Sequence, residues 1–187
     1  MTFTSRYLTE ASAILGILDA SVIEQLVVEL ANVQDNGGRL FIVGIGGSAA
    51  NASHAVNDFR KLCGIDAMTP TDNVAELTAR INDDGWKSSF VNYLRVSRIT
   101  RNDALLVLSV GGGTDDTSYN IVKAVRYAKK YCAKVLGIVG RDGGYTAEDA
   151  DVCLVIPPVY EDRITPHTES ICSVVLHLLV SHPTLAL

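Results

Sequence analysis

Leu40-Phe41-Ile42-Val43, followed by Gly44-Ile45-Gly46-Gly47-Ser48, is the stretch that decides the fold. Four consecutive apolar residues without polar alternation are what a strand covered on both faces requires. The glycines and serine that follow mark an abrupt turn out of it. Three more runs have the same character: Ala104 to Leu108, Val135 to Val139 and Val152 to Ile156. Helical periodicity fills the intervals, over 48–62, 87–99, 116–131 and 166–181. Residues 67–83 read as a short strand and then a helix. Strands alternating with helices imply βαβ units and a mostly parallel sheet covered on both sides. The expectation is one three-layer α/β domain spanning residues 1–187.

Upstream of the first strand, residues 5–36 read as helix. Tyr7, Leu8, Ala11, Ile14, Leu15 and Leu18 fall at helical spacing. Asp19 or Ser21 caps a second segment whose stripe is Ile23, Leu26, Val27, Leu30 and Val33, and Gly37-Gly38 ends it. An amphipathic antiparallel pair is expected there, covering a core or a subunit interface.

Composition narrows the partners. The 187 residues suffice for one well-cored domain, and 48% hydrophobic with 20% charged residues is globular composition. The net charge of −5 and the lack of a basic tract argue against nucleic acid and an anionic membrane surface. No apolar run approaches the ~20 residues of a membrane helix, and the N-terminus lacks a secretory pattern. Cys63, Cys132, Cys153 and Cys172 form no C-x-x-C pair and read as reduced thiols of a cytoplasmic protein. Acidity does not exclude a phosphorylated small molecule, since backbone N–H groups hold phosphate without Lys or Arg.

Open parallel sheets bind ligands at the carboxyl ends of their strands. Gly44–Ser48, Ser109-Val110-Gly111-Gly112-Gly113-Thr114 and Gly140-Arg141-Asp142-Gly143-Gly144 all lie there. Each of the first two loops is either a phosphate cradle or a tight turn in which glycine relieves crowding. No Lys-Ser/Thr pair makes the first a Walker loop, and Ala49 stands where G-x-G-x-x-G has its third glycine. Asp115 or Asp116 is expected to cap the helix after the second. His54 and Asp58, four apart, share a helix face and are either a surface pair whose hydrogen bond stabilises the helix or a pair suited to a metal or proton transfer. The last helix is expected to start with Thr165 as cap and Pro166 in first position, and carries His167, Glu169 and His177, with His182 beyond. A histidine such as His177 on that apolar helix is either a partnered core residue or faces the site.

Gly44-Ile45-Gly46-Gly47-Ser48-Ala49-Ala50-Asn51-Ala52-Ser53-His54 resembles the G-N-G-G-S-A-A-x-A-x-H signature of bacterial phosphoheptose isomerases, a branch of the SIS-domain sugar isomerases. Ile81-Asn82-Asp83-Asp84-Gly85 is similar to their I-x-N-D-x-G segment, Ser109–Thr114 to their phosphate loop, and Glu169…His177 to their Q-E-x-H…H helix. The resemblance implies a flavodoxin-like parallel sheet, a homotetramer and a divalent metal, most often zinc. It implies isomerisation of sedoheptulose 7-phosphate to D-glycero-D-manno-heptose 7-phosphate through an enediol. It places the substrate on Gly46, Gly47, Ser48, Asn82, Asp83, Ser109, Val110, Gly111, Thr114 and Glu169, and the metal on His54, Asp58, Glu169 and His177. Asp58 or Glu169 is then the base and His177 the acid.

This chain departs from the pattern where Asp58 replaces Glu, Glu169 replaces Gln, Ile45 replaces Asn, and Val110 and Gly111 lack hydroxyls. On an ideal helix Glu169 and His177 lie about 12 Å apart along the axis, so sharing one ion needs an irregular first turn or a neighbouring subunit. The alternatives are a non-catalytic module that binds sugar phosphate or protein, and an isomerase of another phosphosugar.

Overall fold

The computed structural model describes residues 1–187. Its one sheet has β1 (Arg39–Val43), β2 (Asp66–Met68), β3 (Ala104–Ser109), β4 (Lys134–Val139) and β5 (Val152–Val155), all parallel, in the order β2-β1-β3-β4-β5. This is the flavodoxin-like order, whose direction reverses between β1 and β3. The helices are α1 (Phe3–Gly16), α2 (Ala20–Asp35), α3 (Gly47–Cys63), α4 (Val74–Asp84), α5 (Ser89–Val96), α6 (Tyr119–Lys130), α7 (Gly144–Asp149) and α8 (Ile164–Val180). No single helix is long and apolar enough to cross a membrane.

The apolar runs do what their lack of alternation requires. Successive strand side chains point to opposite faces. Leu40 and Ile42 join the core under α2, α3 and α8, while Phe41 and Val43 join the one under α5 and α6. Leu106 and Leu105 divide the same way. The three layers therefore follow from strands that are apolar on both sides.

Several local expectations need correction. Thr2 caps α1 and Asp19 caps α2, but the two helices meet at a bend of 66° and are not antiparallel, because the short break at Gly16–Asp19 does not reverse the chain. Neither Asp115 nor Asp116 caps α6. A turn in which Thr114 N–H donates to the Thr117 carbonyl holds them at its tip, and α6 starts after Ser118 at φ +57°. A 3-10 turn, Glu161–Arg163, feeds α8 two residues early, at Ile164, so Thr165 lies inside the helix. Pro166 still falls in the first turn, where its missing N–H has no intrahelical partner to lose. Residues 87–99 divide into a 3-10 turn and the shorter α5.

Two buried acids tie distant segments together. Glu10 on α1 is 3% exposed and accepts from Arg163 Nε at 2.7 Å, with His167 Nε2 at 3.0 Å. Arg163 beside it holds its pKa down at about 2. Asp103 accepts from the backbone N–H of Arg39 and Thr100 and from the Arg39 side chain. Burial pushes its pKa up, but the Arg39 and Thr100 hydrogen bonds outweigh this and leave it below the ordinary carboxylate value.

Asp103→Ala is expected to cost about 2–3 kcal/mol, because buried N–H donors lose their acceptor. The wild-type contribution is complete above the unfolded pKa of 3.8 and is lost as pH falls through the depressed folded pKa. Urea unfolding at neutral pH checks this; an unchanged midpoint would refute it.

Candidate active site

A cavity of about 560 Å³ opens at the carboxyl ends of β1, β3 and β4, where the strand order reverses. Ser48, Ser109, Val110, Gly111 and Thr114 line it, as the loop arrangement predicts. Gly46 and Gly47, also expected to touch substrate, do not line it; they form the turn between Ile45 and Ser48, which do. Gly46 takes φ +62°, a left-handed conformation that favours glycine, and α3 has no side-chain cap, so its first N–H groups remain available to an anion. Ser109 Oγ accepts from Gly112 N–H at 3.0 Å, which fixes the second loop and leaves the hydroxyl proton free to donate.

Seven further residues line it that the resemblance does not assign to substrate: Ile45, Gly113, Thr117 and Ser118 from the first two loops, and Arg141, Asp142 and Thr165. The signal for Arg141 and Asp142 was present, since they follow β4 as the other loops follow β1 and β3. Thr165 went unplaced because it was expected to cap α8.

Farther along α3, three side chains converge. His54 Nε2 lies 3.1 Å from Asp58 Oδ2, His177 Nε2 lies 3.7 Å from the same oxygen, and the two imidazole nitrogens are 3.5 Å apart. Asp58 is mostly buried between two half-exposed histidines. His177 is thus half-exposed in this cluster rather than a core histidine; the buried one is His167, bound to Glu10. His182 pairs with Glu24 at 3.5 Å and lies outside the site.

The ligand atoms of His54, Asp58 and His177 all fall within 4.8 Å of one another, a donor set of two imidazoles and one carboxylate that fits a divalent ion. Glu169 does not join them, because it lies two turns up α8 from His177. It sits instead over the first turn of α3, where a Cβ added to Gly47 would fall 2.4 Å from its Oε2. Asn51 Nδ2 donates to its backbone carbonyl at 2.9 Å. Glu169 therefore belongs to the glycine loop, beside Ser48.

Asn82 and Asp83 are exposed on the last turn of α4, paired with each other at 2.7 Å, and neither lines the cavity. The four cysteines are free, and burial pushes Cys153 to about 11 and Cys172 to about 12, which keeps both as thiols.

The SIS-domain family model matches residues 6–140. A phosphoheptose isomerase of Geotalea daltonii is 33% identical over 159 residues, 82% of this chain and 78% of its own. One from Helicobacter pylori is 30% identical over 164 residues, covering 84% and 80%. The structure of a phosphoheptose isomerase from Neisseria gonorrhoeae superposes with a TM-score of 0.82 at 25% identity, over 95% of each chain.

Proposed function

The chain belongs to the SIS-domain family, and from that premise we propose that it is a phosphoheptose isomerase, interconverting sedoheptulose 7-phosphate and D-glycero-D-manno-heptose 7-phosphate. One observation carries this reading. The glycine-loop cavity and the His54–Asp58–His177 cluster share helix α3, with Ser48 and His54 about 9 Å apart along its axis. A substrate anchored in the cavity by its terminal phosphate must be long to place its C1–C2 end between Glu169 and the cluster, as a seven-carbon sugar is.

Isomerisation moves one proton between adjacent carbons and one between their oxygens. Glu169 is the carbon base. Its carboxylate makes no hydrogen bond or ion pair within the chain, whereas Asp58 is engaged by two imidazoles. It takes the proton from C1 of the ketose, the C1–H electrons form the C1–C2 double bond of the enediol, and it returns the proton to C2. The O1 proton is transferred to O2 at the histidine cluster, so each proton that leaves the substrate returns to it.

His54, Asp58 and His177 would hold a divalent ion, zinc by this donor set, which when bound polarises the carbonyl. The Ser48, Ser109 and Thr114 hydroxyls and the glycine N–H groups bind and orient the phosphate.

The same reading includes a homotetramer and a cytoplasmic location. Phe3, Leu8 and Ile17 at the N-terminal end are exposed, as are Val174 and Leu178 on α8 beside the half-exposed His177, and a second copy would cover both. Four free thiols suit a reducing compartment.

Purified protein tests this directly. Sedoheptulose 7-phosphate should be converted to an aldoheptose phosphate by a species four times the chain mass in light scattering, with zinc in elemental analysis. Absence of turnover on every ketose phosphate tried would remove the isomerase. A monomer, or a metal-free active protein, would remove only the corresponding part.

A further inference from the structure

We propose that Arg141 is the cation that holds the substrate's phosphate and makes the site select phosphorylated sugars; the ligand's identity rests on the isomerase reading above. Arg141 is the sole cation among the residues lining the cavity. None of the protein's ion pairs uses it. The one carboxylate on the cavity wall is Asp142, whose Oδ1 accepts from Gly144 N–H at 3.2 Å. Without Arg141 the cavity would therefore present a negative charge to a dianionic phosphate.

The residue is held where it is at a conformational cost. Arg141 takes φ +51°, a region L side chains with a Cβ rarely adopt. Its loop is fastened to the second glycine loop. Gly140 N–H donates to the Ser109 carbonyl, Tyr145 N–H to that of Gly113, and Thr146 N–H and Oγ1–H both to that of Gly112. The two loops touch so closely that a Cβ on Gly112 would fall 1.7 Å from the Gly143 carbonyl oxygen. Arg141 is thus carried on the same rigid unit as Ser109 and Thr114.

Its stem runs along the second loop, Arg141 Cδ lying 3.8 Å from where a Cβ on Gly111 would sit, an ordinary contact distance. Where Val110 and Gly111 offer no hydroxyl, the guanidinium beside them can bind phosphate oxygens in a bidentate, charge-assisted manner.

The experiment measures inorganic phosphate binding by titration calorimetry, and KM and kcat for sedoheptulose 7-phosphate, on the full chain. Arg141→Met, which keeps the stem and removes the charge, should raise both the phosphate Kd and KM about 10–100-fold while kcat changes little. Arg141→Lys should recover part of the loss. Arg141→Gly should weaken binding as Arg141→Met does, yet raise Tm by relieving the positive φ, a combination that a merely structural arginine would not give. Wild-type phosphate affinity in Arg141→Met overturns the assignment, as does a wild-type chain that binds no phosphate. Arg141-dependent phosphate binding in a protein that turns over no heptulose phosphate leaves this assignment standing and removes the isomerase reading instead.

Discussion

Glu169→Gln is expected to lower kcat for sedoheptulose 7-phosphate by about 10²–10⁴-fold, with KM nearly unchanged. The substitution keeps the shape of the side chain and removes the lone pair that accepts the carbon proton. The loss corresponds to roughly 3–5 kcal/mol of barrier. Glu169 suits the role because its carboxylate stands against Gly47 with no partner in the chain, at the point where the glycine loop passes into α3. A side chain larger than hydrogen at position 47 would push that carboxylate aside, so a glycine there lets it stay over the loop. Asp58 is the competing carboxylate. Deuterium wash-in from D2O at C1 separates the two, since exchange follows the carbon base and should vanish in Glu169→Gln. Exchange at the wild-type rate in that variant would return the base role to Asp58.

Chelation should abolish turnover, and His54→Ala and His177→Ala should each lose bound metal as well as activity. Both imidazoles aim Nε2 at one Asp58 oxygen, within 3.1 and 3.7 Å. Removing a direct ligand should weaken metal binding by more than the roughly 10–100-fold that loss of an outer partner costs. Elemental analysis beside the assay gives the answer. If His177→Ala keeps a full complement of metal but loses kcat, His177 is an acid and not a ligand, because an Nε2 that binds metal has no proton to donate. Full activity after complete removal of metal would end the metal assignment.

The sheet was legible because burial on both faces leaves a mark that needs no partner information: Leu40–Val43 and Ala104–Leu108 are apolar throughout. The glycine loops were legible for the same local reason. What was not legible depended on groups distant in sequence. α7 is six residues long, starts from two glycines in left-handed conformations and exposes no stripe to read. The docking of α1 onto the start of α8 rests on the contacts of Glu10 with Arg163 and His167, which no pattern within residues 3–35 contains. At the site, the spacing of His54 and Asp58 fixed their pairing, and helix rise alone kept Glu169 away from His177. Arg141 looked like one charged turn residue among several until the two loops were seen fastened together.

The Glu10 network also orders events during synthesis. Glu10 meets Arg163 and His167 across 153 and 157 residues, and His54 meets His177 across 123. Helix α1 waits for α8 before its buried acid is paired, and the His54–Asp58–His177 cluster waits for that same helix. The β1–β3 sheet core is complete far earlier. Contacts of such separation form late, because a long loop must close before they are made. A nascent or C-terminally shortened chain would thus hold a largely formed sheet and phosphate cavity while lacking half of its catalytic machinery. Activity should therefore arrive in one step, when α8 packs onto the rest of the fold.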